Sequence, residues 1–86
     1  MTDIAQRVRS VILRQPGLFE PDTSIDDQTE LAAIGIDSLG TVNLLLDIEG
    51  EFAIGFTDDL LTPQYWSTVR GISEAVTLAL ATQKEN

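Results

Sequence analysis

The sequence predicts an all-α fold: a small antiparallel four-helix bundle of three longer helices and one or two short ones, with a long first loop. Three observations support it. Apolar residues recur at helical spacing in three separate stretches. Most links between those stretches are short, which favours antiparallel neighbours. No segment alternates long enough to make a convincing sheet.

The first helix is expected over Asp3–Arg14, where Ile4, Val8, Val11 and Ile12 share one face. Asp3 and Gln6 stand at capping-box spacing. Gln15-Pro16-Gly17 ends the helix, because proline cannot continue it and glycine tolerates a left-handed turn. From Pro16 to Asp37 there is little long periodicity, and Pro16, Gly17, Pro21, Asp22, Thr23 and Ser24 are turn formers. Leu18, Phe19, Ile25, Leu31, Ile34 and Ile36 read as pegs fastening this loop to the core. Glu30 to Ile34 has the makings of one helical turn, stopped by Gly35.

The second helix is expected from Asp37 to about Phe52. Asp37 is a good N-cap, since its carboxylate accepts backbone N–H bonds and complements the helix dipole. Leu39, Val42, Leu45, Leu46 and Glu49 trace one stripe, and Leu44, Ile48 and Phe52 a neighbouring one. The breadth of apolar surface places this helix centrally, with Asp47, Glu49 and Glu51 decorating the rest. Ala53-Ile54-Gly55-Phe56 is a short apolar link whose alternation allows a short strand. Thr57-Asp58-Asp59 resembles a helix start, and Thr62-Pro63 offers another, with proline at the first position. The last helix begins near Ser67 or Thr68 and aligns Val69, Ile72, Val76, Ala79 and Leu80. The chain reads as one domain over 1–86, ordered over about 3–82, with a polar tail at 83–86 that frays.

Composition narrows the chemistry. Of 86 residues, 43% are hydrophobic, enough for a globular core. There is no cysteine and no histidine, so thiolate chemistry, disulfides and the commonest general base are missing. The formal charge is −9, from 14 acids against 5 bases, which repels nucleic acid and anionic membranes and suits basic protein surfaces or plain solubility. Asp3, Gln6, Arg7 and Arg9 interrupt any signal-like stretch at the start, and the run Leu78-Ala79-Leu80-Ala81 is far too short to enter a bilayer. A cytoplasmic monomer is expected. Asp58 and Asp59 lack the alternating acids of a calcium loop and read as a solvated helix start, so no metal site is expected.

The informative stretch is Gly35-Ile36-Asp37-Ser38-Leu39. A glycine closes one turn, an acid caps the next helix, and a serine follows in its first turn. Unpaired N–H groups and the positive end of the dipole make that position suitable for a phosphate esterified to the serine oxygen. Asp37-Ser38 alone would be only a cap and a tolerated serine; the flanking helices give the pattern its weight. With Val42, Leu45, Leu46, Asp47-Ile48-Glu49, Glu51-Phe52, Ile54, Phe56 and Asp58, nearly the whole chain resembles the acyl carrier protein family.

That resemblance implies that a phosphopantetheinyl transferase moves 4′-phosphopantetheine from coenzyme A onto Ser38, whose arm then holds a cargo as a thioester. It implies no catalysis by the protein itself. It further implies a loading ligase, either adenylate-forming or similar to aminoacyl-tRNA synthetases, and a downstream acyl or aminoacyl transferase. Asp37, Leu39, Gly40, Thr41, Val42, Asp47, Phe56 and Trp66 are the expected partner contacts, although Trp66 suits the core equally as a large aromatic. Gly40, Asn43 and Thr57 depart from the fatty-acid-type pattern. Gly40 should weaken its helical turn by about 1 kcal/mol relative to alanine. Leu39-Gly40-Thr41-Val42 with Leu44-Leu45-Leu46 resembles D-alanyl carriers, and Asp59-Leu60-Leu61-Thr62 with Ser67 and Ile72 resembles stand-alone aminoacyl carriers. An aminoacyl cargo is therefore expected, with a fatty or polyketide acyl chain or D-alanine as alternatives. Outside the family, the alternative is an unmodified acidic helical interaction module that has no need of Ser38.

Overall fold

The computed structural model describes residues 3–15 and 25–84. Helix α1 spans Ile4–Leu13, and Asp3 caps it by accepting from the N–H of Ala5 at 3.1 Å. Val8, Val11 and Ile12 point inward and are essentially buried. Past the helix end, Gln15 is buried and its amide donates to the Val11 carbonyl (3.2 Å) and to Asp47 Oδ2 (2.8 Å). This fastens the end of α1 to the middle of α2, Ser38–Phe52. The expected turn at Pro16-Gly17, the turn formers at 21–24 and the pegs Leu18 and Phe19 lie outside the described residues.

The later part of the first loop is stitched down through its backbone. The N–H of Leu31 donates to the Ser67 carbonyl (2.9 Å), that of Val69 to Thr29 (3.2 Å) and that of Arg70 to Asp27 (2.9 Å). Glu30 and Thr68 form an isolated antiparallel bridge there. Leu31 and Ile36 are buried, with Ile25 and Ile34 packed against the core, so these pegs act as expected. Residues 32–34 make the anticipated single turn, ended by Gly35 in the left-handed region at φ 90°.

Helix α3 is short, Pro63–Trp66, with proline at its first turn, and α4 runs Val69–Lys84. The Thr68 hydroxyl accepts from the N–H of Gly71 at 3.1 Å and so caps α4. Helix α1 packs against α2 and α4, and α3 packs against α4. The expected α4 face is the one that is buried, joined by Ala75. Residues 53–56 form no strand. Ala53 ends α2 in the left-handed region (φ 56°), and Glu49 organises the turn beyond it. The Glu49 carbonyl accepts from Ile54 N–H (3.1 Å) and its Oε2 from Phe56 N–H (2.8 Å). Those bonds fix a turn where alternation alone allowed an extended segment.

The expectation that the wide apolar surface of α2 packs against its neighbours holds for only part of that surface. Leu44, Ile48 and Phe52 are buried, but Leu39 is 71% exposed, Val42 52% and Leu46 58%. Residues 39, 42 and 46 lie on the side of the helix opposite the buried row, and no described element covers them.

The acids of α2 also do more than decorate it. Arg7 of α1 donates to the Glu51 carbonyl (2.9 Å) and to Oε2 (3.2 Å) while lying 4.3 Å over the Phe52 ring. Arg14 binds Oε1 at 3.0 Å. The Arg14 hydrogen bond, then that of Arg7, holds the Glu51 pKa below its ordinary value against a smaller upward push from burial. A carboxylate with a lowered folded pKa adds stability above its unfolded pKa, and that stability is lost as pH falls through the folded value. The stability gap between wild type and Glu51→Gln should therefore be full at neutral pH and close on acidification through the carboxylate range. Added salt should narrow it as well. Chemical denaturation at several pH values measures it, and a gap that widened in acid would refute the clamp.

Candidate attachment site

The site is built from the turn that precedes α2. Ile36 is buried and its N–H donates to the Leu31 carbonyl at 3.0 Å, so the chain enters the helix from a fixed point. Asp37 is extended (φ −91°, ψ −169°), and its Oδ1 accepts from the N–H of Gly40 at 2.8 Å. Its carbonyl takes both the N–H of Thr41 (2.8 Å) and the Thr41 hydroxyl (2.9 Å). The cap is thus satisfied from inside the helix.

Ser38 is the first residue of α2 and is exposed. Its hydroxyl has no hydrogen-bond partner among the described residues. The N–H groups of Ser38 and Leu39 belong to the first turn and have no intrahelical acceptor. Gly40 closes in tightly: a Cβ there would stand 3.3 Å from both Asp37 Oδ1 and Ile36 Cγ2. Its missing side chain lets the cap seat itself, an explanation beyond the propensity cost read from sequence.

Leu39 and Val42 flank the serine in solvent. Beside them a groove of about 370 Å³ runs between α2 and α3, its walls including Thr41, Val42, Leu45, Leu61, Pro63 and Trp66. Trp66 itself is buried. Its indole N–H donates to the Leu60 carbonyl at 2.7 Å, and half-buried Phe56 meets it edge-on at 5.3 Å between centroids. Both rings therefore serve packing, with Trp66 also forming part of the groove wall. Asp47 lies further along α2 and is engaged by Gln15. Asp58 and Asp59 lie in a 3₁₀ turn, where Asp59 accepts from the Thr57 hydroxyl. Sequence reasoning missed that Leu46 is exposed on α2 and Leu61 at the groove wall, and that Glu49 and Glu51 are engaged within the fold. A larger depression of about 660 Å³ opens elsewhere, lined by residues such as Ile4, Tyr65 and Leu78, but none of its lining residues belongs to α2.

The residues fit a phosphodiester-linked arm. The Ser38 hydroxyl is exposed and unbonded among the described residues, and two donors stand at the positive end of the helix. Among the described residues, the Ser38 hydroxyl is hydrogen-bonded to no group that would act on it as a base. This defines a class: a small helical bundle with an exposed serine at the start of a capped helix. The family model for the phosphopantetheine attachment site matches residues 6–76. An aminoacyl carrier protein of Agrobacterium fabrum is 33% identical over 73 residues, covering 85% of this chain and 88% of that one. The polyketide synthase pigA of Monascus ruber is 42% identical over 76 residues, 86% of this chain but 3% of that far longer one. Among solved structures, a chain in the crystal structure of an engineered Bradyrhizobium japonicum glycine:carrier protein ligase, complexed with a carrier protein from Agrobacterium tumefaciens and ATP, superposes with a TM-score of 0.76. It is 30% identical, and the match covers 88% of this chain and 99% of that one. The chain belongs to the acyl carrier protein family, and its cofactor is 4′-phosphopantetheine.

Proposed function

We propose that Ser38 carries the 4′-phosphopantetheine arm and that the protein delivers an aminoacyl group to partner enzymes without catalysing a reaction itself. The free, exposed hydroxyl of Ser38 at a capped helix start is the observation that carries this reading. The arm supplies a thiol, which this cysteine-free chain lacks, to hold cargo as a thioester. The chain's own residues do the rest. Asp37 fixes the start of α2, the N–H groups of Ser38 and Leu39 face the attached phosphate, and Leu39 and Val42 border it.

The similarity to an aminoacyl carrier, and to a chain solved together with a glycine:carrier protein ligase, supports an amino acid as cargo. The partners would then be a phosphopantetheinyl transferase, an adenylate-forming or synthetase-like ligase and a downstream transferase, meeting a monomer in the cytoplasm. The likeness to a polyketide synthase segment supports acyl carriage as the second reading. Intact-protein mass spectrometry of material purified from its own host decides between them. The expected species carries one phosphopantetheine plus an aminoacyl mass. A fatty or polyketide acyl mass would replace the first reading by the second. Protein that stays bare while another carrier from the same cells is modified would overturn both.

A further inference from the structure

We propose that the depression between the start of α1 and the N-terminal part of α4 docks a basic, amphipathic segment of a partner protein, and that it does so while Ser38 stays accessible. This goes beyond the carrier reading and does not depend on it.

The depression holds about 660 Å³ and its walls are mainly apolar. Helix α1 contributes Ile4 and Ala5, α4 contributes Leu78, and α3 contributes half-buried Tyr65. Leu78 is 46% exposed, although the opposite face of α4 is packed into the core. A lone exposed leucine is ordinary. One set in a hollow with an isoleucine and an aromatic ring, where three helices meet, is a preformed seat for a large apolar side chain.

Charge at the rim selects the occupant. Asp3, Asp27 and Glu74 stand there against one base, Arg70, and all four are exposed. Asp3 uses Oδ1 to cap α1, and Glu74 meets Arg70 at 3.5 Å across one helical turn, a weak kind of pair in solvent. Asp27 is held more firmly, by Arg9 at 2.6 Å. Even with Arg9 counted, acids outnumber bases around the hollow. A second copy of this chain would bring one charge of −9 against another, and nucleic acid and anionic membranes are repelled in the same way. A protein segment with an apolar anchor and lysine or arginine beside it satisfies both the walls and the rim.

The hollow shares no lining residue with the groove beside Ser38. Adjacent residues of α3 divide the two, Trp66 lining the groove and Tyr65 the hollow. A partner seated here leaves the serine and its side of α2 uncovered, so one protein can hold the carrier while another works on Ser38.

The test titrates the isotope-labelled full-length protein, followed by NMR, with a synthetic peptide of about 14 residues whose leucines and one tryptophan form one helical face and whose lysines form the other. A control peptide has glutamate at every lysine position. The lysine peptide should give saturable amide shifts centred on Ile4, Ala5, Tyr65 and residues 73–78, with Ser38, Leu39 and Val42 unmoved. The glutamate peptide should bind at least about tenfold more weakly. Leu78→Gln should weaken the lysine peptide by about fivefold or more, as loss of an anchoring contact does. Asp3→Asn with Glu74→Gln should weaken it by about threefold at low salt. Asparagine keeps the α1 cap, and thermal melts check that the variants fold. Asp58→Asn with Asp59→Asn removes the same charge elsewhere and should leave affinity within about twofold, since distant exposed charges are screened. Shifts centred on residues 39–46, equal binding of both peptides, an equal loss from the Asp58 and Asp59 changes, or no saturable shift would each overturn the proposal. Sedimentation showing a dimer of the free protein that Leu78→Gln dissolves would give the hollow to a second copy and refute it as well.

Discussion

Ser38→Ala should abolish attachment of phosphopantetheine and leave the fold intact. Wild type incubated with coenzyme A and a transferase should gain one arm, and the variant none. The contrast is expected to be complete because a methyl group offers no oxygen to esterify. Loss by misfolding is an unsuitable explanation here. Ser38 is exposed, its hydroxyl has no partner among the described residues, and the cap comes from Asp37. Alanine is a good helix former, so stability should change by no more than about 0.5 kcal/mol, the range usual for such surface positions. Intact mass and a thermal melt on one preparation test both halves. An arm found on the alanine protein would move the attachment point elsewhere.

Gly71→Ala should be the most damaging small change in the described structure. Gly71 is a buried residue of α4, where α3 crosses it. A Cβ there would stand 2.6 Å from the Tyr65 carbonyl oxygen, 2.9 Å from its carbon and 3.0 Å from the Gln64 oxygen. These are main-chain atoms, so no rotamer change relieves the overlap. Two effects oppose each other. Alanine in a helix interior gains about 1 kcal/mol over glycine. Forcing bulk into a packed site costs about 1–3 kcal/mol, and more when backbone must move. The backbone clash should win, with a net loss of about 2 kcal/mol. In a domain of this size that lowers the melting temperature by about 10 °C. Because α3 would be displaced, Trp66 should become more exposed, and its fluorescence should report the shift. A variant as stable as wild type would mean that α3 does not approach α4 so closely.

Much of this architecture was legible without coordinates. Asp37, with Gly35 before it and helical periodicity after it, located α2 to within a residue, and proline at the first turn located α3. The rows on α1 and α4 followed from spacing alone. The free face of α2 was not legible. Leu39, Val42 and Leu46 have the hydrophobicity and the period of core residues, and periodicity gives their direction but not what packs there. The inward engagement of Glu49 and Glu51 was equally hidden, because their partners are a turn seven residues on and arginines some forty residues earlier. At the site itself the cap and the serine could be read from neighbours in sequence. The groove could not, since Leu61, Pro63 and Trp66 reach α2 only through the tertiary fold.

The stretch from Asp27 to Leu31 is held by main-chain amide donors at Leu31, Val69 and Arg70, together with the buried Leu31 side chain and the Arg9–Asp27 ion pair at 2.6 Å. The main-chain part of that anchorage is indifferent to side-chain identity. Exposed positions such as Gln28 and Glu30 are consequently open to wide substitution, whereas proline at 31, 69 or 70 would delete a donor outright. Variety in this outer strap can thus accumulate without disturbing where the serine-bearing helix begins, which leaves surface there free to adapt to new company.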